Sequence, residues 1–154
     1  MMTRLSCNVL DALAGKTLVT AESCTGGGIG AALTAIAGSS AVYKGGIICY
    51  TNWVKENVLG VDSALLQQYG AVSAEVAQAM AINVRYLLKA DVGVSVTGLA
   101  GPGGDDRENP VGTVYIGYCD EEKTLVQKYH FSGNRESVRN QAVCAAFELI
   151  LQEK

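Results

Sequence analysis

Histidine is nearly absent: the 154-residue chain has one, His130. A Ser-His-Asp triad would depend wholly on it, and a multi-histidine metal site is excluded. A hydrolase built from these residues must take lysine, tyrosine or a carboxylate as its base. Charge is sparse as well, at 18% charged residues with a net charge of −3 and no basic cluster. That speaks against nonspecific nucleic-acid binding. No apolar run reaches the roughly 18 residues that a membrane span needs. The first residues are interrupted by Asn8 and Asp11 and read as an amphipathic helix rather than a secretory signal. The cysteines, Cys7, Cys24, Cys49, Cys119 and Cys144, are odd in number and form no CxxC pair. Reduced thiols in a cytoplasmic protein are the expectation, not a disulfide framework or a zinc site.

What is present describes one domain, 1–154, with 49% apolar residues and a full core. Residues 2–14 read as a helix that ends at Gly15, 16–22 as a strand and 24–37 as a helix with a glycine-rich first turn. A strand over 42–51 carries a glycine pair, which suggests a bulge or a close backbone approach. Short helices follow over 52–59 and from Asp62 to Tyr69, and Ser73 caps a long helix over 74–89. The apolar run 91–97 predicts a central strand, followed by the loop 98–110. Strands 111–119 and 123–131 form a hairpin, and a last helix starts after Asn134. This alternation predicts a three-layer α/β/α sandwich with a mixed, mainly parallel sheet and a late β-hairpin. Ligands gather at strand carboxyl ends in such sheets. Residues 22–28, 50–55 and 97–104 converge there.

The most telling stretch runs from Thr17 to Gly27, where a β-branched run stops at Glu22, Ser23, Cys24 and Thr25 and glycines follow. A strand, a sharp turn and a helix start would place these hydroxyls beside unpaired N–H groups at the positive end of a helix. An anion or an oxyanion suits that place. Equally, Ser or Thr could be a plain N-cap and the glycines packing aids. Ser23 is the candidate nucleophile and Lys55 its candidate base, provided burial lowers the lysine pKa. Taken alone, Lys55 also reads as a surface lysine and Tyr50 as a packing residue. The loop Gly98–Gly104 offers an anion nest, or else a plain connection. Arg135 and Arg139, one helical turn apart, could clamp a phosphate or pair with surface acids. Asp105, Asp106, Arg107 and Glu108 read as a solvated loop tip.

Together these segments resemble the CinA C-terminal domain family, whose active members are nicotinamide mononucleotide deamidases of the PncC type. The matching stretches are residues 20–27, 43–46, 50–52 with Lys55, 70–73, 96–104 and 110–114. Many family members carry a further N-terminal domain similar to molybdopterin-binding proteins; this chain resembles the stand-alone form. The resemblance implies hydrolysis of nicotinamide mononucleotide to nicotinic acid mononucleotide and ammonia, in pyridine nucleotide salvage, without metal or organic cofactor. It makes Ser23 and Lys55 the catalytic pair, with Tyr50 and Asn52 in orienting roles. Cys24, Thr25, Gly26, Gly27, Lys44, Gly45, Gly46, Thr97, Gly98, Gly101, Gly103 and Arg139 fall to substrate binding. Trp53 either packs or walls the pyridine ring. A homo-oligomer is implied, with no membrane and no direct nucleic-acid partner. Two other readings stand beside it: a non-catalytic nucleotide-binding or competence-associated regulatory module, and an enzyme whose nucleophile is Cys24.

Overall fold

The computed structural model describes residues 1–154. Six α-helices and five strands follow one another: α1 (Met2–Ala12), β1 (Leu18–Glu22), α2 (Gly28–Thr34), β2 (Tyr43–Ile48), α3 (Asn52–Asn57), α4 (Ser63–Tyr69), α5 (Ala74–Leu87), β3 (Val92–Gly98), β4 (Thr113–Cys119), β5 (Thr124–His130) and α6 (Arg135–Glu153). The strands form one mixed sheet in the order β2-β1-β3-β4-β5. β1 pairs in parallel with β2 and β3, and β3-β4-β5 is antiparallel. β1 is buried along its whole length because helices cover both faces of the sheet.

Local chemistry sets most boundaries. Asp62, Ser73 and Asn134 accept N–H bonds at the starts of α4, α5 and α6. The α5 stripe Val76, Ala77, Met80 and Val84 is fully buried beneath one sheet face. Val138, Ala142, Ala146 and Ile150 of α6 pack with α1 and α2 on the other. Burying each large apolar side chain stabilises by about 1.5–3 kcal/mol.

Several elements end a residue or two inside the bounds that the sequence pattern suggests, and α2 and β2 are shortened most. Helix α2 starts at Gly28, because Gly27 takes a left-handed φ of 100° and residues 24–27 form a turn instead. β2 stops at Ile48, since the next carbonyls, of Cys49 and Tyr50, bond to Lys55 rather than to a strand.

Sequence order reverses at β1, with β2 on one side and β3 on the other. That switch point opens a crevice at the carboxyl ends of β1 and β3. Ser23 follows β1 directly, and its N–H bonds to the Val96 carbonyl of β3 at 2.9 Å.

Candidate active site

A cleft of about 360 Å³ lies at this switch point. Ser23 and Cys24 form its floor, Tyr50, Asn52 and Lys55 one wall, and Ala71 and Val72 another part of the rim. Thr97 and the glycine loop, with Gly98, Gly101 and Gly103, complete it, along with Asp105 and Arg135.

Lys55 is the central feature. It sits one turn into α3, is only 1% exposed, and has no carboxylate within ion-pair distance. Its Nζ lies 2.8 Å from Ser23 Oγ, 2.8 Å from the Cys49 carbonyl and 3.2 Å from the Tyr50 carbonyl. Burial holds its pKa below the ordinary lysine value, because an unpaired ammonium is costly away from water. A neutral amine has two N–H bonds and one lone pair. As an ammonium Lys55 donates to all three partners, while Ser23 Oγ lies 3.5 Å from the Tyr50 carbonyl; as a neutral amine it keeps the two carbonyls and turns its lone pair to the Ser23 hydroxyl.

The turn around Ser23 is clamped from two sides. The Glu22 carboxylate, 2% exposed, accepts from Thr25 Oγ1 and Ile29 N at 2.8 Å and from Gly30 N at 3.0 Å. Arg139 donates from Nε to the Cys24 carbonyl at 3.0 Å and from a terminal nitrogen to the Thr25 carbonyl at 3.1 Å. The Cys24 and Thr25 N–H groups donate to no protein acceptor. Burial pushes the Cys24 thiol up to about 11, so it stays protonated near neutrality and makes a poor nucleophile.

Several expected site residues take other places. Lys44 lies at the amino end of β2, exposed, donating to the Lys89 carbonyl. Gly45 and Gly46 are within β2, outside the cleft. A Cβ on Gly46 would come within 2.4 Å of Thr20 Oγ1, so its small size serves packing. Gly26 and Gly27 adopt the positive φ angles of the turn rather than lining the cleft. Thr25 is buried and points its hydroxyl at Glu22. Arg139 faces the back of the turn, and Arg135 is the arginine that reaches the cleft. Arg135 donates to the Gly101 carbonyl at 2.8 Å and to the Tyr50 hydroxyl at 3.0 Å, linking two walls. The Glu22 carboxylate already occupies the positive end of α2 that had suggested an anion site. Trp53 is 67% exposed and outside the cleft, and His130 lies exposed at the end of β5.

The loop tip is pinned as well. Arg107 bonds to the Gln67 and Gln68 carbonyls of α4, and Asn109 to the Val72 carbonyl. Asp105 is partly desolvated, which raises its pKa, but bonds from the Asn109 side chain and from the Arg107 and Asn109 N–H groups outweigh this and hold it low. No signal in the sequence separated this anchored loop from a free one.

The fold and cleft define an α/β-sandwich protein with a buried serine–lysine pair at its switch point. The profile of the CinA C-terminal domain matches residues 3–154, and the chain belongs to that family. It is 48% identical over 134 residues to the nicotinamide-nucleotide amidohydrolase PncC of Enterobacter agglomerans, covering 86% of this chain and 82% of that protein. It is 48% identical over 137 residues to a CinA-like protein of Rippkaea orientalis, covering 87% of this chain but 33% of that protein. The chain thus spans about a third of the length of several curated relatives. Among solved structures, a CinA superfamily protein from Klebsiella pneumoniae superposes with a TM-score of 0.97 at 35% identity, covering 99% of this chain and 97% of that one. The competence/damage inducible protein CihA from Agrobacterium tumefaciens gives 0.94 at 38% identity, covering 98% and 94%.

Proposed function

We propose that this chain is an amidohydrolase acting on nicotinamide mononucleotide, with Ser23 as nucleophile and Lys55 as base. The observation that carries the reading is the 2.8 Å contact between Ser23 Oγ and a buried lysine without an acid partner. The name of the Enterobacter relative, which this chain matches over most of its length, supports the substrate.

In this reading neutral Lys55 takes the Ser23 proton as Oγ attacks the carboxamide carbon. The carbonyl electron pair moves onto oxygen, where the free N–H of Cys24 on the cleft floor steadies it. Collapse breaks the C–N bond, and the Lys55 ammonium returns its proton to the departing nitrogen, which leaves as ammonia. A water then loses a proton to Lys55 and attacks the Ser23 ester. Lys55 passes that proton to Ser23 Oγ as the acyl C–O bond breaks, and the acid product loses its remaining proton to solvent as it departs. Arg135 and the unpaired N–H groups of Ala100, Gly101 and Gly103 suit the 5′-phosphate.

Ammonia release from nicotinamide mononucleotide, measured beside the Ser23→Ala variant, tests this. Release by the natural protein alone is expected. Binding of the nucleotide with no release by folded protein would move the assignment to a nucleotide-binding module.

A further inference from the structure

Helix α2 starts without a side-chain cap of its own. Its N-cap, Gly27, has none to give, and neither Ser23 nor Thr25 takes the role. The first free N–H groups, of Ile29 and Gly30, bond to Glu22, seven and eight residues upstream at the end of β1. Thr25 Oγ1 donates to the same carboxylate, and Thr20 Oγ1 lies 3.3 Å from its other oxygen. Four donors therefore meet the roughly four lone-pair sites of a carboxylate. No Lys or Arg pairs with it. Compensation for this buried charge comes from the helix end and two hydroxyls.

An ordinary Ser or Thr cap ties its hydroxyl to a helix N–H. Here Glu22 takes over that duty, and the hydroxyl of the next residue is released to face Lys55. Thr25 is held through its side chain, and Arg139 grips the two carbonyls between. We propose that Glu22 is the positioning residue for Ser23, a built-in anion of α2 that holds the turn where Ser23 meets Lys55. The substrate's own anionic group is thereby left to the glycine-loop side of the cleft. The inference rests on the Ser23–Lys55 reading above. A crevice of about 240 Å³, lined by Glu22, Thr20 and Tyr43, runs alongside. A small solute can reach the carboxylate position through it.

Glu22→Gln and Glu22→Ala test this with two readouts: ammonia release, and phosphonylation of Ser23 by a fluorophosphonate, in which the Oγ–P bond forms and fluoride leaves. Glu22→Gln keeps the shape but sets an amide N–H₂ against a donor. We expect kcat and labelling rate to fall together by about a hundred-fold, the scale of a misplaced nucleophile, with KM held within about two-fold. Formate, but not formamide, should restore both rates in Glu22→Ala. Unchanged rates in folded Glu22→Gln overturn the proposal. So does formate that restores the melting temperature of Glu22→Ala without restoring either rate. Natural protein that is labelled but releases no ammonia sinks the substrate assignment alone, since labelling still reports on Glu22. Natural protein that does neither overturns both.

Discussion

Lys44 lies near the start of β2 and Lys55 in α3 just beyond its other end, and burial separates them. Lys44 is exposed and touches one carbonyl, so water solvates its charge. Lys55 is shut in with two carbonyls and one hydroxyl and no acid. The same residue type is a surface cation at the amino end of the sheet and a depressed amine at the carboxyl end. Arg135 and Arg139 repeat the lesson on one helix: the first spans the mouth of the cleft and the second braces the floor from behind. Chemistry at this sheet is decided by which end a group reaches and how much water it keeps.

Lys55→Met should cause the largest change. Loss of a general base typically costs about 10²–10⁴-fold, so steady-state ammonia release should drop by about a thousand-fold. A second consequence concerns stability. Because the native lysine pKa is lowered, the folded state sheds a proton that the unfolded chain keeps up to its ordinary value of 10.5. In that window the unfolded state binds more protons, and the Lys55 contribution to stability rises with pH. The melting-temperature difference between natural protein and Lys55→Met should therefore shift in favour of the natural protein as pH rises. A flat difference in differential scanning calorimetry would refute a depressed lysine.

Arg135→Ala comes next. Losing a charge-assisted contact worth about 1.5–3 kcal/mol should raise KM for the nucleotide about ten- to hundred-fold. The nucleoside lacking the phosphate should show little change, and equal losses for both would remove Arg135 from anion recognition. Arg139→Ala should act on the turn rather than on the nucleotide. Its two bonds to turn carbonyls predict destabilisation of about 1–3 kcal/mol in urea titrations and a fall in kcat rather than a rise in KM. Lys44→Ala, at an exposed site, should alter stability by less than about 0.5 kcal/mol and leave turnover unchanged. A lost activity there would return the amino end of β2 to the site.

Much of the architecture was legible in the residues. Asp62, Ser73 and Asn134 mark helix starts because a cap acts on N–H groups two or three positions away. The apolar runs of β1 and β3 mark central strands because both faces are covered. Ser23 and Lys55 were legible as a pair of chemical types near two strand ends. Their distance was not, nor was the role of Glu22, which caps α2 from seven and eight residues upstream across a strand–helix junction. The acidic tip of the glycine loop read as solvated, yet Arg107 finds the α4 carbonyls, partners about forty residues away. Arg135 and Arg139 share a helix face in sequence. Which of them reaches the cleft depends on where α6 begins relative to the glycine loop.

Local residue patterns specify the order and type of the elements, the ends of most helices, and the hydroxyl, amine and glycines available for chemistry. These follow from periodicity, caps and residue type, which act over one or two turns. Folding adds that Lys55 loses its water, that Glu22 rather than a ligand fills the end of α2, and that the Cys24 and Thr25 N–H groups stay free. Each of those outcomes is a competition for burial or hydrogen bonds among groups far apart in the chain, and it is settled only when the sheet brings them together.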